Sequence, residues 1–124
     1  MKLEELEVYK IAMELGEKLW NEINVWNYFE KETIGKQLIK SVDSIAANIA
    51  EGFGRYHFKE NRNFIYYARG SLFESKTWLK KANNRNLIDS EVFQILINEF
   101  ERLGLKINNY LNSIGKQKST NDNK

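Results

Sequence analysis

Apolar residues return every third or fourth position through four stretches of this chain, and no proline interrupts any of them. That spacing lines side chains along one face of an α-helix, and no run alternates long enough to make a β-strand. The first stretch, about 4–25, aligns Val8, Ala12, Leu15, Leu19 and Ile23. The second starts near Lys31 and uses Ile34, Leu38, Val42, Ile45, Ile49 and Phe53. The third, about 58–83, uses Ile65, Ala68, Leu72, Ser75, Leu79 and Ala82. The fourth runs through Phe93, Leu96, Phe100, Leu103, Ile107, Tyr110 and Ile114, keeping a three-four rhythm suited to bundle packing. Long helices joined by short loops predict an all-α fold, an antiparallel up-down-up-down four-helix bundle.

The breaks between stretches carry their own expectations. NVWNYFE (24–30) is too aromatic to be simply solvated and is expected to fold back over the bundle end. Gly52 and Gly54 are expected to end the second helix, one of them in left-handed geometry. NNRNLIDS (83–90) reads as a polar turn leading to an Asp89 N-cap. Residues 1–115 are thus expected to form one bundle domain. KQKSTNDNK (116–124), which has no apolar residue, is expected to be a disordered tail.

The residue inventory narrows the chemistry. With no cysteine and one histidine, His57, neither disulfides nor thiolate or His-rich metal sites can be built. No signal-peptide run or membrane span is legible, which gives a cytoplasmic expectation with no membrane partner. Gly52-Phe53-Gly54 follows a helix, whereas a phosphate-binding loop places its glycines before one. Glu51 and Glu74 are candidates for a carboxylate pair, but Arg55 and Arg69 nearby in sequence would hold both ionised, as in a structural ion pair. The expectation is a protein that is not an enzyme, without catalytic residue, metal or cofactor.

Charge is segregated. Residues 1–30 carry three Lys against seven Glu, while residues 57–88 carry seven basic residues against two acidic. The basic third segment, with Arg55 just before it, supplies candidate nucleic-acid contacts in Arg55, Lys59, Arg62, Arg69, Lys76, Lys80 and Lys81. Tyr66, Tyr67 and Trp78 interleave with them and are candidates for base stacking. The same segregation also suits contact between the acidic segment (Glu4, Glu5, Glu7, Glu14, Glu17) of one copy and the basic segment of another. Ile11, Trp20, Trp26, Phe64, Phe73, Trp78 and Ile97 lie off the seams and Phe93 only at the head of one, which predicts self-association.

One stripe is unusual for a helix. Ser41, Ser44, Asn48, Glu51 and Arg55 run beside the apolar seam of the second helix. The third helix answers with Arg69, Gly70, Ser71, Glu74 and Ser75. Gly70 in mid-helix costs about 1 kcal/mol relative to Ala, and close approach of another helix is the usual reason. Two readings stay open. The small residues allow tight packing of the second and third helices, or Ser44, Asn48, Glu51, Arg55, Arg69, Gly70, Ser71 and Glu74 form a polar assembly cluster within or between subunits.

SIAANIAEGFGR (44–55), followed by YARGSLFESK (67–76), resembles the signature of the four-helix bundle family named for proteins encoded in intervening sequences of bacterial 23S rRNA genes. Leu6-Glu7-Val8-Tyr9-Lys10 with Ala12 is similar to that family's opening helix, and Gly35-Lys36-Gln37-Leu38 to the entry of its second. The resemblance covers about residues 6–115. It departs where the family usually has proline, in the first loop and before the NIAEG segment, where this chain has Ala47. The resemblance implies an antiparallel bundle assembling as a ring, commonly a homopentamer. It also implies kinship with accessory proteins of diversity-generating retroelements, which bind nucleic acid and a reverse transcriptase. The leading expectation is therefore a non-enzymatic oligomeric protein that binds RNA or DNA. The alternative is a protein-interaction or assembly scaffold that binds neither.

Overall fold

A computed structural model describes residues 1–115, so the tail expected over 116–124 lies outside the described residues. A 3-10 turn (Leu3–Glu5) precedes α1 (Glu7–Ile23). A second rod is built from α2 (Tyr28–Glu30), a π-helical stretch (Lys31–Gly35) and α3 (Lys36–Phe53). Then come α4 (Phe58–Asn84) and α5 (Ser90–Ser113), and no strand occurs among the described residues. The molecule is all-α, and its four long helices form a bundle.

Contact registers give the directions. Gly16 of α1 faces Asp43 of α3, while Ile23 faces Gly35, so one helix ascends as the other descends. Ser44 meets Ser71 and Gly52 meets Asn61 across α3 and α4. Leu72 meets Gly104 and Lys76 meets Glu101 across α4 and α5. Glu7 pairs with Lys106, and Lys18 with Glu99, which closes α5 onto α1. Each neighbouring pair runs in opposite directions.

The core is what the apolar spacing predicts. Leu19, Leu38, Val42, Ile45, Ile49, Ile65, Leu79, Phe100, Leu103 and Ile107 are fully sequestered. Burying a side chain of this size contributes about 1.5–3 kcal/mol each. Ser75 is equally buried and donates to Ser71 O at 2.8 Å, so its hydroxyl is satisfied within its own helix. Ile11 and Ile97, expected off the seams, are buried too, because a bundle helix hides a stripe wider than two positions per heptad.

Two expectations about the breaks are corrected. In NVWNYFE only Trp26 packs against the core, while Val25, Tyr28 and Phe29 are exposed and the segment opens the second rod. At the end of α3 no left-handed glycine occurs: Gly54 has φ −77° and Gly52 sits inside the last turn. The polar turn behaves as expected. Asn86 adopts φ 60°, Leu87 N donates back to Ala82 O at 2.9 Å, and Asp89 caps α5 by accepting from Glu91 N at 3.4 Å.

Candidate nucleic-acid interface

The 27 residues of α4 make a rod about 40 Å long. Its inner stripe (Ile65, Ala68, Leu72, Ser75, Leu79, Ala82) is held by the bundle, which fixes what the other faces present. Arg62, Tyr66, Arg69, Phe73, Lys76 and Lys80 follow one another in steps of four and three. At about 100° per residue they fall within one band along the helix. Tyr66 and Phe73 are half exposed, so aromatic faces alternate with cations along the band. The Phe73 ring lies between two of them, with the Arg69 guanidinium 5.8 Å and the Lys76 ammonium 5.1 Å from its centroid.

The seven cations expected to act together do not form one surface. Arg62, Arg69, Lys76 and Lys80 share the band and Lys59 borders it. Lys81 lies about 100° round the helix from Lys80. Arg55 belongs to the α3–α4 turn, where Glu51 holds it at 2.6 Å and Glu60 at 3.7 Å, with its guanidinium 4.8 Å over Phe64. Lys76 is itself paired with Glu101 at 2.9 Å. Of the aromatics expected to stack, Tyr66 stays on the band. Tyr67 packs edge-on against Phe64, and Trp78 Nε1 donates to Glu74 at 3.0 Å.

The eight-residue polar cluster is likewise divided. Ser71 Oγ donates to Ser44 Oγ at 2.9 Å, and Asn48 Nδ2 donates to Ser44 O and Oγ at 2.9 and 3.0 Å, stitching α3 to α4. Glu51 and Arg55 form a separate, solvent-exposed pair. Arg69 and Glu74 engage Phe73 and Trp78 on α4 itself, and Gly70 has no atom within 4 Å of where a Cβ would stand. The close approach expected at Gly70 does not occur within the protomer.

Sequence reasoning missed the groove beside the band. Between α4 and α5 lies an open depression of about 190 Å³, with Phe73 on one side and Leu105 on the other. Leu72, Phe100 and Gly104 form its floor, and Arg69, Lys76, Glu101 and Asn108 contribute its polar groups. A mid-helix glycine next to an off-seam leucine, Gly104-Leu105, was the signal that could have found it. No group of three or more His, Cys, Asp or Glu side chains is disposed around a metal among the described residues. No helix there is long and apolar enough to cross a membrane.

Comparison with known proteins adds three findings. The profile of the family described as 23S rRNA-intervening sequence protein matches residues 4–109. Among solved structures, the chain is similar to a protein of unknown function from the S23 ribosomal protein family of Bacteroides thetaiotaomicron. The two share 20% sequence identity over 84% of this chain and 97% of the other, with a TM-score of 0.78, a likeness of fold. No curated protein matches.

Proposed function

The chain belongs to the 23S rRNA-intervening sequence protein family, and we propose that it serves as a non-enzymatic, oligomeric accessory protein that binds RNA or DNA through the outer band of α4. The observation that carries this reading is the alternation of cations and exposed aromatics in Arg62, Tyr66, Arg69, Phe73, Lys76 and Lys80. Cations meet phosphates without regard to sequence, and aromatic faces take bases. One protomer offers three band cations with no ion pair among the described residues, Arg62, Arg69 and Lys80, so one band alone binds weakly. Copies joined in a ring multiply the band and raise apparent affinity through multivalency.

Salt-titrated binding to fluorescent RNA and DNA, read by anisotropy alongside native mass, tests both halves. Three phosphate contacts give a log–log salt slope of about −2 per engaged protomer on a single strand. Combined substitution of Arg62, Arg69 and Lys80 by Ala is expected to abolish binding and leave the helical circular dichroism intact. Absence of binding by the unaltered protein at low salt would defeat the reading.

A second reading, an assembly scaffold that binds no nucleic acid, is favoured by a different observation. Val25, Tyr28 and Phe29 are about three-quarters exposed at one end of the bundle, and Trp20 nearby is more than half exposed. An oligomer that does not bind either nucleic acid would establish it. Its charge complementarity is thinner than the sequence suggests, because Glu7 already pairs with Lys106 and Arg102 of its own chain.

A further inference from the structure

The groove between α4 and α5 differs from the rest of the band in having an inside. Its depth depends on Gly104, where even a Cβ would come within 3.1 Å of Leu72 Cδ2. One wall is the Phe73 ring, 53% exposed, and the other is Leu105, 68% exposed. The open groove's volume of about 190 Å³ is on the scale of one heterocyclic base.

Polarity then says how the parts of one nucleotide would be divided within the groove. Its polar lining is two cations, Arg69 and Lys76, beside a carboxylate, Glu101, and an amide, Asn108. A phosphate would be drawn to the two cations and away from Glu101. An exocyclic amino group of a base would find an acceptor, as cytosine N4 does with Glu or Asp elsewhere. Arg69 and Lys76, beside the Phe73 ring on that lining, are in reach of a backbone passing along α4. In the free protein Glu101 is occupied by Lys76 at 2.9 Å, a pair that a seated amino group and a neighbouring phosphate would share between them. Phe73 can stack only on a base released from its neighbours, and a duplex keeps its bases stacked.

We infer that this groove seats one unpaired nucleobase carrying an exocyclic amino group, so that the preferred ligand is a single strand. The inference rests on the nucleic-acid reading above and narrows it. Twelve-nucleotide oligo(C) and oligo(U) RNAs and a 12-base-pair RNA duplex, compared by anisotropy at matched salt, test it. The unaltered protein is expected to bind oligo(C) about fivefold more tightly than oligo(U). Phe73→Ala, at an exposed position, is expected to weaken oligo(C) binding about tenfold and leave duplex binding unchanged.

Glu101→Ala provides a readout of the opposite sign. It frees Lys76, so oligo(U) and duplex are expected to bind more tightly with a salt slope steeper by about 0.7 on oligo(U), while the preference for oligo(C) disappears. Equal binding of oligo(C) and oligo(U) by the unaltered protein, with a normal salt slope, overturns this inference and leaves the broader reading standing. So does an unchanged oligo(C) affinity in Phe73→Ala. If that variant instead loses native mass with its preference intact, the groove is a contact between copies and the inference is wrong. Failure to bind any of the three ligands or their DNA counterparts removes the broader reading as well.

Discussion

Two glycines on the same pair of helices live in opposite surroundings. Gly52, in the last turn of α3, is buried, and a Cβ there would stand 2.7 Å from Asn61 Oδ1, 2.9 Å from Asn61 O and 3.0 Å from Phe64 Cβ. Gly70, midway along α4, faces outward with nothing within 4 Å. Either residue weakens its helix by up to about 1 kcal/mol relative to Ala. At Gly52 the cost is offset inside the protomer, because backbone meets backbone where α3 and α4 converge. At Gly70 nothing inside the protomer offsets it, and the residue leaves a notch flanked by Tyr66, Tyr67 and Phe73, all exposed. A helical glycine therefore reports close approach only when the facing surface is known.

The sharpest way to break this contrast is Gly52→Val. The obstacle includes the carbonyl of Asn61, which cannot swing aside, so the end of the α3–α4 contact must open. Overpacking of this kind costs about 3 kcal/mol, expected as a large fall in both melting temperature and denaturation midpoint. Unchanged stability would mean the two helices do not converge there. A smaller effect is expected one step inward. Ser71→Ala removes the hydroxyl that donates to Ser44 across the same seam, at a cost of about 1 kcal/mol. Pairing it with Ser44→Ala should give less than the sum of the two, since they share one hydrogen bond.

The same contrast marks how far sequence could reach. Every seam residue of α1 and α4, from Val8 to Ala82, is buried as its spacing implies, because helical periodicity is written along a single segment. The purpose of Gly52, Gly70 and Gly104 is not, since it depends on which residue of another segment lies opposite. Arg55 shows the same limit: its distance from Glu51 is legible as one helical turn, but the capture of its guanidinium by Glu60 and Phe64 follows from how the chain reverses after Gly54. The band of α4 was half legible. Its cations could be named and Phe73 read as an off-seam residue, while the groove appeared only once α5 was in place.

Gly70 allows the outward half of the contrast to be sharpened. Gly70→Ala should stabilise the protomer by about 0.5–1 kcal/mol, because it restrains the unfolded chain and meets nothing when folded. Gly70→Leu should also fold, in contrast to Gly52→Val. Native mass decides what the notch is for. If the leucine variant folds and sheds subunits, a second copy occupies the notch; if mass is unchanged, the solvent face of α4 is left to other ligands.

The smallest expected effect concerns a third glycine, whose surroundings lie between these two. A Cβ at Gly16 would stand 2.9 Å from Asp43 Oδ1, the end of a side chain that can move. Asp43 is an exposed residue, and partial desolvation of its carboxyl, then the nearby Glu17 carboxylate, raise that carboxyl above its ordinary value. The folded protein therefore takes up this proton more readily than the unfolded chain, so Asp43 contributes stability as pH falls through the carboxylate range and costs some above it. Asp43→Asn removes the charge at all pH values. It should stabilise the protein slightly at neutral pH, solvent screening keeping the gain small, and that gain should shrink in acid. Gly16→Ala should push the Asp43 side chain toward solvent and return its titration, followed by NMR, toward that of a free aspartate. A carboxyl that titrates unchanged in that variant would show that contact with α1 is not what raises it.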